Sequence, residues 1–220
     1  EKLDMSEMQP LWEDENEDPN LDVIILQNFF KAEEANDIFN LLKEKVPWEQ
    51  EILRMFGKEI PIPRLTAWFG DPEKTYTYSG ILNQPHDWKL IPELDDMREK
   101  LSQACSVNFN SVLLNLYRDG NDSVDWHADD EPELGPEPII ASVSLGETRT
   151  FDFRSKYDSK HKRSFELFSG DVVVMSGVTQ QHWEHRVPKT AERIRLSTEP
   201  RINLTFRTIY SADDPLFDIA

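Results

Sequence analysis

The sequence has one cysteine, Cys105, and no long apolar run in its 220 residues. A single cysteine cannot form an intrachain disulfide or a cysteine-rich zinc site, so a reducing compartment fits and nitrogen or oxygen ligands must hold any metal. No stretch approaches the ~20 apolar residues that cross a bilayer, and the acidic start lacks the basic and apolar segments of a secretory signal. We therefore expect a soluble protein of the cytoplasm, or of the nucleus in a eukaryotic cell.

Positive charge is also scarce, since 24 Lys and Arg face 42 Asp and Glu and give a formal net charge of −18. This balance argues against a generally basic nucleic-acid-binding surface, because phosphate contacts come from clustered Lys and Arg. The charge is uneven, however. Residues 1–50 contain 14 acids and 4 bases, whereas residues 151–207 contain 11 bases and 7 acids. The C-terminal half is therefore locally basic.

The length of the chain suits one ordinary domain. Residues 1–20 have too few apolar side chains to pack, so we interpret them as a flexible acidic arm that precedes a single domain over 21–220. Apolar residues at helical spacing predict helices over 31–45 and 92–106. Within the domain, 21–110 is thus predicted to be a helix-containing N-terminal extension and 111–210 a separate core.

The pattern changes to period two from Ser111 onward, with frequent turn residues. It predicts short strands over 112–117, 139–145, 150–154, 164–168, 172–175 and 201–210. Many short strands joined by turns are typical of a sandwich or a jelly roll. The predicted fold is mainly β with flanking helices, a jelly roll (double-stranded β-helix) with the N-terminal helices packed on one sheet.

His127 and Asp129 lie two residues apart on a segment that we interpret as extended. Their side chains then project to the same side and can bind one metal ion. A third ligand must come from elsewhere, and both His182 and His185 are candidates. Two histidines and one carboxylate form the facial triad that leaves three positions open on Fe(II), although zinc also accepts such ligands. The spacing alone equally suits a surface histidine beside a solvated acid.

Four polar residues alternate with apolar ones in the last predicted strand: Arg201, Asn203, Thr205 and Arg207. If the apolar face packs against helices or a second layer, the polar face points into the barrel, where unpaired guanidinium groups are costly. An anion is then expected, and the planar arginine fork suits a dicarboxylate. Asn115 and Tyr117 alternate in the same way and can orient this ligand. The alternative is an edge strand with a wet polar face.

Several segments resemble the AlkB family of Fe(II)/2-oxoglutarate dioxygenases, over about residues 63–210. They are PRLTAWFG (63–70), TYTYS (75–79), NLYRDG (115–120), DSVDWHADDEP (122–132), IASVSLG (140–146), HRVPK (185–189) and RINLTFR (201–207). The residues of these segments are most similar to those of one animal branch of the family, which is linked with single-stranded DNA and RNA. The acidic N-terminal arm lies outside the resemblance.

The resemblance implies a role for each matching position. The iron ligands become His127, Asp129 and His185, and His182 is rejected. The implied 2-oxoglutarate residues are Asn115, Tyr117, Arg201, Asn203, Thr205 and Arg207. The implied substrate residues are Tyr76, Tyr78 and Ser79, which line a base pocket within the nucleotide-recognition segment, and Asp130 and Glu131, which contact the exocyclic amine of the base. Ordinary aromatic packing and solvated acids remain the alternatives for this last set.

The resemblance also implies an activity: oxidative demethylation of bases such as 1-methyladenine and 3-methylcytosine in DNA or RNA. Fe(II), 2-oxoglutarate and O2 are required, and formaldehyde, succinate and CO2 are released. The base must be single-stranded or flipped to reach the iron. Four basic residues of a predicted hairpin or loop between strands could contact the nucleic-acid backbone, or could simply be solvated: Lys156, Lys160, Lys162 and Arg163.

Two other functions fit the sequence. The first is the same iron chemistry on a protein or a small molecule, which the acidic charge favours. The second is a non-catalytic jelly-roll module that merely binds a metal. In each case we expect a monomer with no membrane partner.

Overall fold

A computed structural model describes residues 18–55, 57–72, 76–78 and 81–210, without the side chains of 54, 55, 76–78, 81–83 and 193. The strands in these residues are β1 (Asp22–Leu26), β2 (Ile52–Met55), β3 (Lys58–Pro61), β4 (Leu65–Gly70), β5 (Tyr76–Tyr78), β6 (Ile81–Asn83), β7 (Ser111–Tyr117), β8 (Val124–His127), β9 (Ile140–Gly146), β10 (Arg149–Ser155), β11 (Lys162–Leu167), β12 (Val172–Ser176), β13 (Trp183–Val187) and β14 (Arg201–Arg207). The α-helices are α1 (Ala32–Lys45), α2 (Pro92–Cys105) and α3 (Thr179–His182).

The strands form two main antiparallel sheets. The larger has the order β1-β12-β9-β14-β7-β4 and the smaller has the order β11-β10-β13-β8, while β2 pairs with β3 and β5 with β6. An apolar cluster joins the two sheets and includes Tyr117 and Val173 from the larger, and Phe153 and Trp183 from the smaller. Alternating residues of each strand therefore face this shared interior. The predicted jelly roll is confirmed.

The helices α1 and α2 cover the opposite face of the larger sheet. Leu42 of α1 and Leu94 and Leu101 of α2 are buried in one cluster with Leu204 and Phe206 of β14. Burying each such side chain contributes about 1.5–3 kcal/mol. Both helices begin and end within one residue of the predicted ranges. No helix in the described part of the chain is long and apolar enough to span a membrane.

The last strand, β14, is a central strand. It pairs with β7 on one side and with β9 on the other, so the alternative of an edge strand with a wet face is wrong. Its pairing ends at Arg207, three residues before the predicted end. The N–H of Ile209 instead donates to the side-chain oxygen of Asn110 at 2.8 Å, which takes the chain out of the sheet.

The start of the described chain packs against the smaller sheet. The Asp18 carboxylate is buried, and its two oxygens lie 2.7 Å from His161 Nε2 and 2.7 Å from Arg163 Nε. Trp183 Nε1 donates to the carbonyl oxygen of Pro19 at 3.2 Å. A buried carboxylate needs such partners, so residues 18–20 belong to the folded unit, whereas the sequence placed them in the acidic arm. Residues 1–17 lie outside the described residues.

Candidate metal and anion site

A β-bulge at the end of β8 sets the direction of His127. His127 is opposite His185 and Val124 is opposite Val187, so three steps along β8 match two along β13. The extra residue lets both Val124 and His127 face the interior, because a bulge shifts the alternation by one. Trp126 then lies on the outer side. The centre of its ring is 4.3 Å from the guanidinium carbon of Arg154 and 4.3 Å from that of Arg186. Period-two reasoning from the sequence could not reveal this shift.

The structure brings His127, Asp129 and His185 together. Their ligand atoms all lie within 4.8 Å of one another, and His185 Nε2 is 3.9 Å from Asp129 Oδ2. His127 Nδ1 lies 2.8 Å from the carbonyl oxygen of Asp125. Donation to this carbonyl leaves Nε2 of His127 as the atom that can bind a metal, an arrangement usual for metal-binding histidines.

His182, the other candidate from the sequence, lies outside this group. It ends α3, and its ring contacts the ring of Tyr157 at a centroid distance of 5.5 Å. The two residues between His182 and His185 matter because β13 begins at Trp183 and carries His185 inward. The geometry and the resemblance therefore select the same histidine.

The protonation states at the triad suit a cation. Burial acts to raise the pKa of Asp129, but Arg207, followed by His185 and His127, holds it well below its usual range. Arg207 Nη2 donates to Asp129 Oδ1 at 2.7 Å. Burial, with His127, lowers the pKa of His185 to about 3. At neutral pH the carboxylate is ionised and the imidazole is neutral, which are the forms that bind metal ions.

The main chain at Asp129 is held by a glutamine that the sequence analysis missed. Gln180 is buried in α3, and its Oε1 accepts a hydrogen bond from the Asp129 N–H at 3.0 Å.

The two predicted substrate acids follow Asp129 along the chain. The side chain of Asp130 is exposed and that of Glu131 is half-buried. Burial raises the pKa of Glu131, which Arg207 partly opposes.

Arg201 is the most deeply buried charge on β14, with no exposed surface. Its Nη2 donates to Ser144 Oγ at 2.9 Å, and its guanidinium carbon lies 5.3 Å from the centre of the Tyr117 ring. Nε and Nη1 have no hydrogen-bond partner among the described residues. Burial lowers the pKa of Arg201 to about 10, with Tyr117 opposing the shift. The group is still charged at neutral pH, so a buried anion would stabilise it.

The remaining polar residues of this face largely pair with one another. Asn203 Nδ2 donates to Ser142 Oγ at 2.7 Å, and Thr205 Oγ1 donates to Asn203 Oδ1 at 3.1 Å. Arg64 Nε donates to Asn115 Oδ1 at 2.8 Å. Asn115 therefore lies where the sequence predicts, but its oxygen already has a partner. The alternation of Ser142 and Ser144 with apolar residues in β9 was the available signal for these two serines.

A second buried arginine, Arg149, supports the loops around the site. Its Nη2 donates to the carbonyl oxygens of Asp122 at 2.8 Å and Pro188 at 2.7 Å, and its Nη1 to that of Asp119 at 3.3 Å. Burial lowers its pKa. These bonds join the loop after β7 to the end of β13, and they depend on backbone carbonyls that no sequence motif marks.

The predicted base pocket is described only through its backbone. Tyr76 pairs with Asn83 and Tyr78 with Ile81, so the strand that period two requires is present. The side chains of both tyrosines, and all of Ser79, lie outside the described residues. Their role in a pocket stays a prediction.

The basic loop is partly neutralised by acids. Lys156 Nζ lies 2.9 Å from Asp130 Oδ2, and Arg163 binds Asp18. Lys162 lies with its Nζ 5.6 Å from the centre of the Trp126 ring. Lys162 and Arg163 lie on β11 and only Lys156 and Lys160 lie in the loop before it, and these acids make the whole segment less positive than its four basic residues suggest.

Comparison with known proteins identifies the class first. A family model described as the 2OG-Fe(II) oxygenase superfamily matches residues 22–207, and the chain belongs to this superfamily. Within it the chain is a member of the AlkB family, as the similarity to curated members shows.

The relatives include alpha-ketoglutarate-dependent dioxygenase alkB homolog 3 of Mus musculus, 43% identical over 197 residues that cover 86% of this chain and 66% of that protein. The Homo sapiens protein of the same name gives the same identity and coverage. The DNA oxidative demethylase ALKBH2 of Mus musculus is 39% identical over 191 residues, 82% of this chain and 77% of that one. The chain spans just under two thirds of the length of the alkB homolog 3 proteins.

A solved structure shares the fold. The structure of OsALKBH1 is 22% identical, with a TM-score of 0.53, and the match covers 84% of this chain and 97% of that one.

The family description names 2-oxoglutarate and Fe(II), and the residues fit both. The triad supplies two imidazoles and a carboxylate, the donor set of non-haem Fe(II) oxygenases. Asp129 Oδ2 is buried without a hydrogen-bond partner among the described residues, as expected of an oxygen that faces a cation. Arg201 is a buried cation with donors at Nε and Nη1 that have no partner among the described residues, so a carboxylate of a dicarboxylate would offset its charge.

Proposed function

We propose that the protein catalyses Fe(II)- and 2-oxoglutarate-dependent oxidative demethylation of N-alkylated bases, of the 1-methyladenine and 3-methylcytosine type, in DNA or RNA. The products are formaldehyde, succinate and CO2. One observation carries the proposal: the polar face of β14 connects the triad, through the Arg207–Asp129 bond, to the buried and unsatisfied Arg201. The names of the relatives, a dioxygenase and a DNA oxidative demethylase, support the substrate.

The residues have separate tasks in this reaction. Bound iron, together with 2-oxoglutarate, supplies the activation of O2. His127, Asp129 and His185 would hold the metal from one side and leave its other positions to co-substrate and oxygen. Arg207 occupies Asp129 Oδ1 and keeps the carboxylate ionised, so Oδ2 remains for the metal. Arg201 would bind the distal carboxylate and fix the co-substrate in one orientation.

The alkylated base must leave its stack to reach this site. Single-stranded substrate avoids the cost of unpairing, and aromatic side chains offset the loss of base stacking. Asp130 directly follows the triad aspartate, and a carboxylate accepts hydrogen bonds from an exocyclic amine. With a net charge of −18, we expect modest and strongly salt-sensitive binding of nucleic acid.

The test measures formaldehyde released from single- and double-stranded oligonucleotides that carry 1-methyladenine or 3-methylcytosine, with methylated peptides as the competing substrate. We expect release from the oligonucleotides, single-stranded first. A preference for peptides would overturn the proposed substrate. The control is His127→Ala, which should remain folded by circular dichroism but lose 2-oxoglutarate decarboxylation. Undiminished decarboxylation in that variant would contradict the metal assignment.

A further inference from the structure

Lys156 connects two parts of the site that the mechanism above does not link. It follows the last residue of β10, and 27% of its side chain is exposed. Its Nζ lies 2.9 Å from Asp130 Oδ2 and 2.8 Å from the carbonyl oxygen of Gln180. Its backbone N–H donates to the carbonyl oxygen of His182 at 2.9 Å. Both the main chain and the side chain of Lys156 are therefore attached to α3.

The helix α3 in turn holds the chain that carries the triad aspartate. The side chain of Gln180 accepts from the Asp129 N–H, and its Nε2 lies 3.4 Å from Met175 Sδ. One residue of α3 thus fixes the main chain of Asp129 by its side chain and the ammonium group of Lys156 by its carbonyl. Lys156 then fixes the side chain of Asp130. These contacts form one continuous path from the basic loop to the metal site.

Asp130 needs such a partner if the substrate is a polyanion. Its side chain is 56% exposed, so an unpaired carboxylate there would repel phosphate groups that approach the site. Lys156 offsets this charge and engages one of the two carboxylate oxygens. The other oxygen retains its lone pairs and can accept a hydrogen bond.

We propose that Lys156 is a positioning residue for the substrate. It holds Asp130 so that the second carboxylate oxygen accepts a hydrogen bond from the exocyclic amine of the alkylated base, and it removes the repulsion between Asp130 and the nucleic-acid backbone. This inference rests on the proposed function. This role differs from simple contact with a phosphate, because a phosphate-binding lysine would lower KM for the oligonucleotide whether or not residue 130 carries a carboxylate.

A double-mutant cycle separates these two roles. The variants are Lys156→Met, Asp130→Asn and the two combined, and the measured quantity is KM for a single-stranded oligonucleotide that carries 3-methylcytosine. We expect Lys156→Met alone to raise KM about threefold to tenfold, with a smaller change in kcat. In the Asp130→Asn background the same substitution should change KM less than about twofold.

Lys160→Met is the charge-matched control, since Lys160 lies in the same turn and its backbone N–H caps Asp158. Its effect on KM should be equal in both backgrounds at residue 130. Lys156→Gln is a second variant of similar length without the charge, and it should show the same coupling to Asp130. Thermal unfolding of each variant verifies that the fold is retained.

If Lys156→Met raises KM by the same factor in the two backgrounds, the positioning role is overturned and direct contact with phosphate is indicated. If the unmodified protein releases no formaldehyde from any methylated oligonucleotide, the proposed function fails and the role of Lys156 with it. An active protein with no coupling removes only the role of Lys156. The two failures are therefore distinguishable.

Discussion

The two arginines of β14 share one strand face, yet their surroundings differ. Arg207, with 17% of its side chain exposed, binds the triad carboxylate of Asp129. Arg201 is completely buried, and its described hydrogen bond goes to a neutral serine, Ser144. One charge is compensated inside the protein, whereas the other has two N–H groups without a partner in the described structure. The same sequence pattern therefore yields a structural ion pair at one end and an uncompensated buried charge at the other.

The contrast follows from where the neighbours of β14 end. At the Arg207 end, the chain beyond β8 brings an acid into contact with the strand. At the Arg201 end, the neighbours are Gly146 of β9 and Tyr117 of β7, and neither carries an acid. A buried ion pair loses stability when one partner is removed, whereas an uncompensated buried charge costs stability while it is present. Substitution of the two arginines should therefore have opposite effects on stability.

The largest effect is expected from Arg207→Met. The substitution leaves the ionised carboxylate of Asp129 buried without its nearest cation, which should cost about 3 kcal/mol of unfolding free energy. The pKa of Asp129 should rise toward its usual range for the same reason. Urea unfolding of the metal-free protein at neutral pH measures the change. An unchanged urea midpoint would show that the histidines alone compensate Asp129, and the comparison between the two arginines would then fail.

The second effect is functional and comes from Arg201→Met. Loss of the guanidinium should raise KM for 2-oxoglutarate roughly 100-fold, the factor expected when one partner of a buried charge pair is removed. The unfolding free energy should stay constant or increase, since an uncompensated charge is replaced by an apolar side chain of similar length. The assay is 2-oxoglutarate decarboxylation at varied co-substrate, with thermal unfolding in parallel. A loss of stability equal to that of Arg207→Met would contradict the contrast.

The sequence alone was sufficient to predict which faces of the strands and helices are buried. The alternation of β14 predicts which residues face the interior, and the helical stripes predict the buried faces of α1 and α2. These patterns are local, so they can be read without knowing which strands pair. They show which side chains are buried, and burial of the apolar faces determines how the sheets and helices pack in layers.

The partners of the site residues could not be predicted in the same way. Whether Arg201 meets Ser144, or Asn115 meets Arg64, depends on the register between strands that are distant in sequence. The bulge in β8 and the support of Asp129 by Gln180 depend on tertiary contacts too. Period-two patterns leave register open, because a shift by two residues preserves every face. The sequence therefore predicts which side chains face the interior, but not which neighbouring groups bind or neutralise them.

The third effect is a pH dependence confined to the triad end. Burial lowers the pKa of His185 to about 3 in the folded metal-free protein, while the unfolded chain titrates near 6.5. Below pH 6.5 the unfolded state therefore binds a proton that the folded state does not, and stability falls as the pH falls. From pH 6.5 to pH 5 this contributes a loss of about 2 kcal/mol.

The measurement for His185 is urea unfolding across this window, with His185→Phe as the variant that lacks the titrating group. The variant should show a flatter profile, since Arg201 keeps its charge throughout and Asp129 stays ionised. Identical pH profiles for the two proteins would show that the imidazole is protonated in the folded state, and the compensation at this end would need another explanation.

The smallest effect is expected at Ser144 and Ser142, which accept hydrogen bonds from different residues of β14. Ser144→Ala removes the hydrogen bond to Arg201, and Ser142→Ala removes the one to Asn203. Each loss should cost about 1 kcal/mol of unfolding free energy. The functional consequence should differ, because Ser144 orients the group that we propose binds the co-substrate carboxylate. Ser144→Ala should raise KM for 2-oxoglutarate about fivefold, and Ser142→Ala about twofold or less. Equal KM values for the two variants would place the carboxylate on Asn203 as much as on Arg201, and the special role of the buried arginine would be lost.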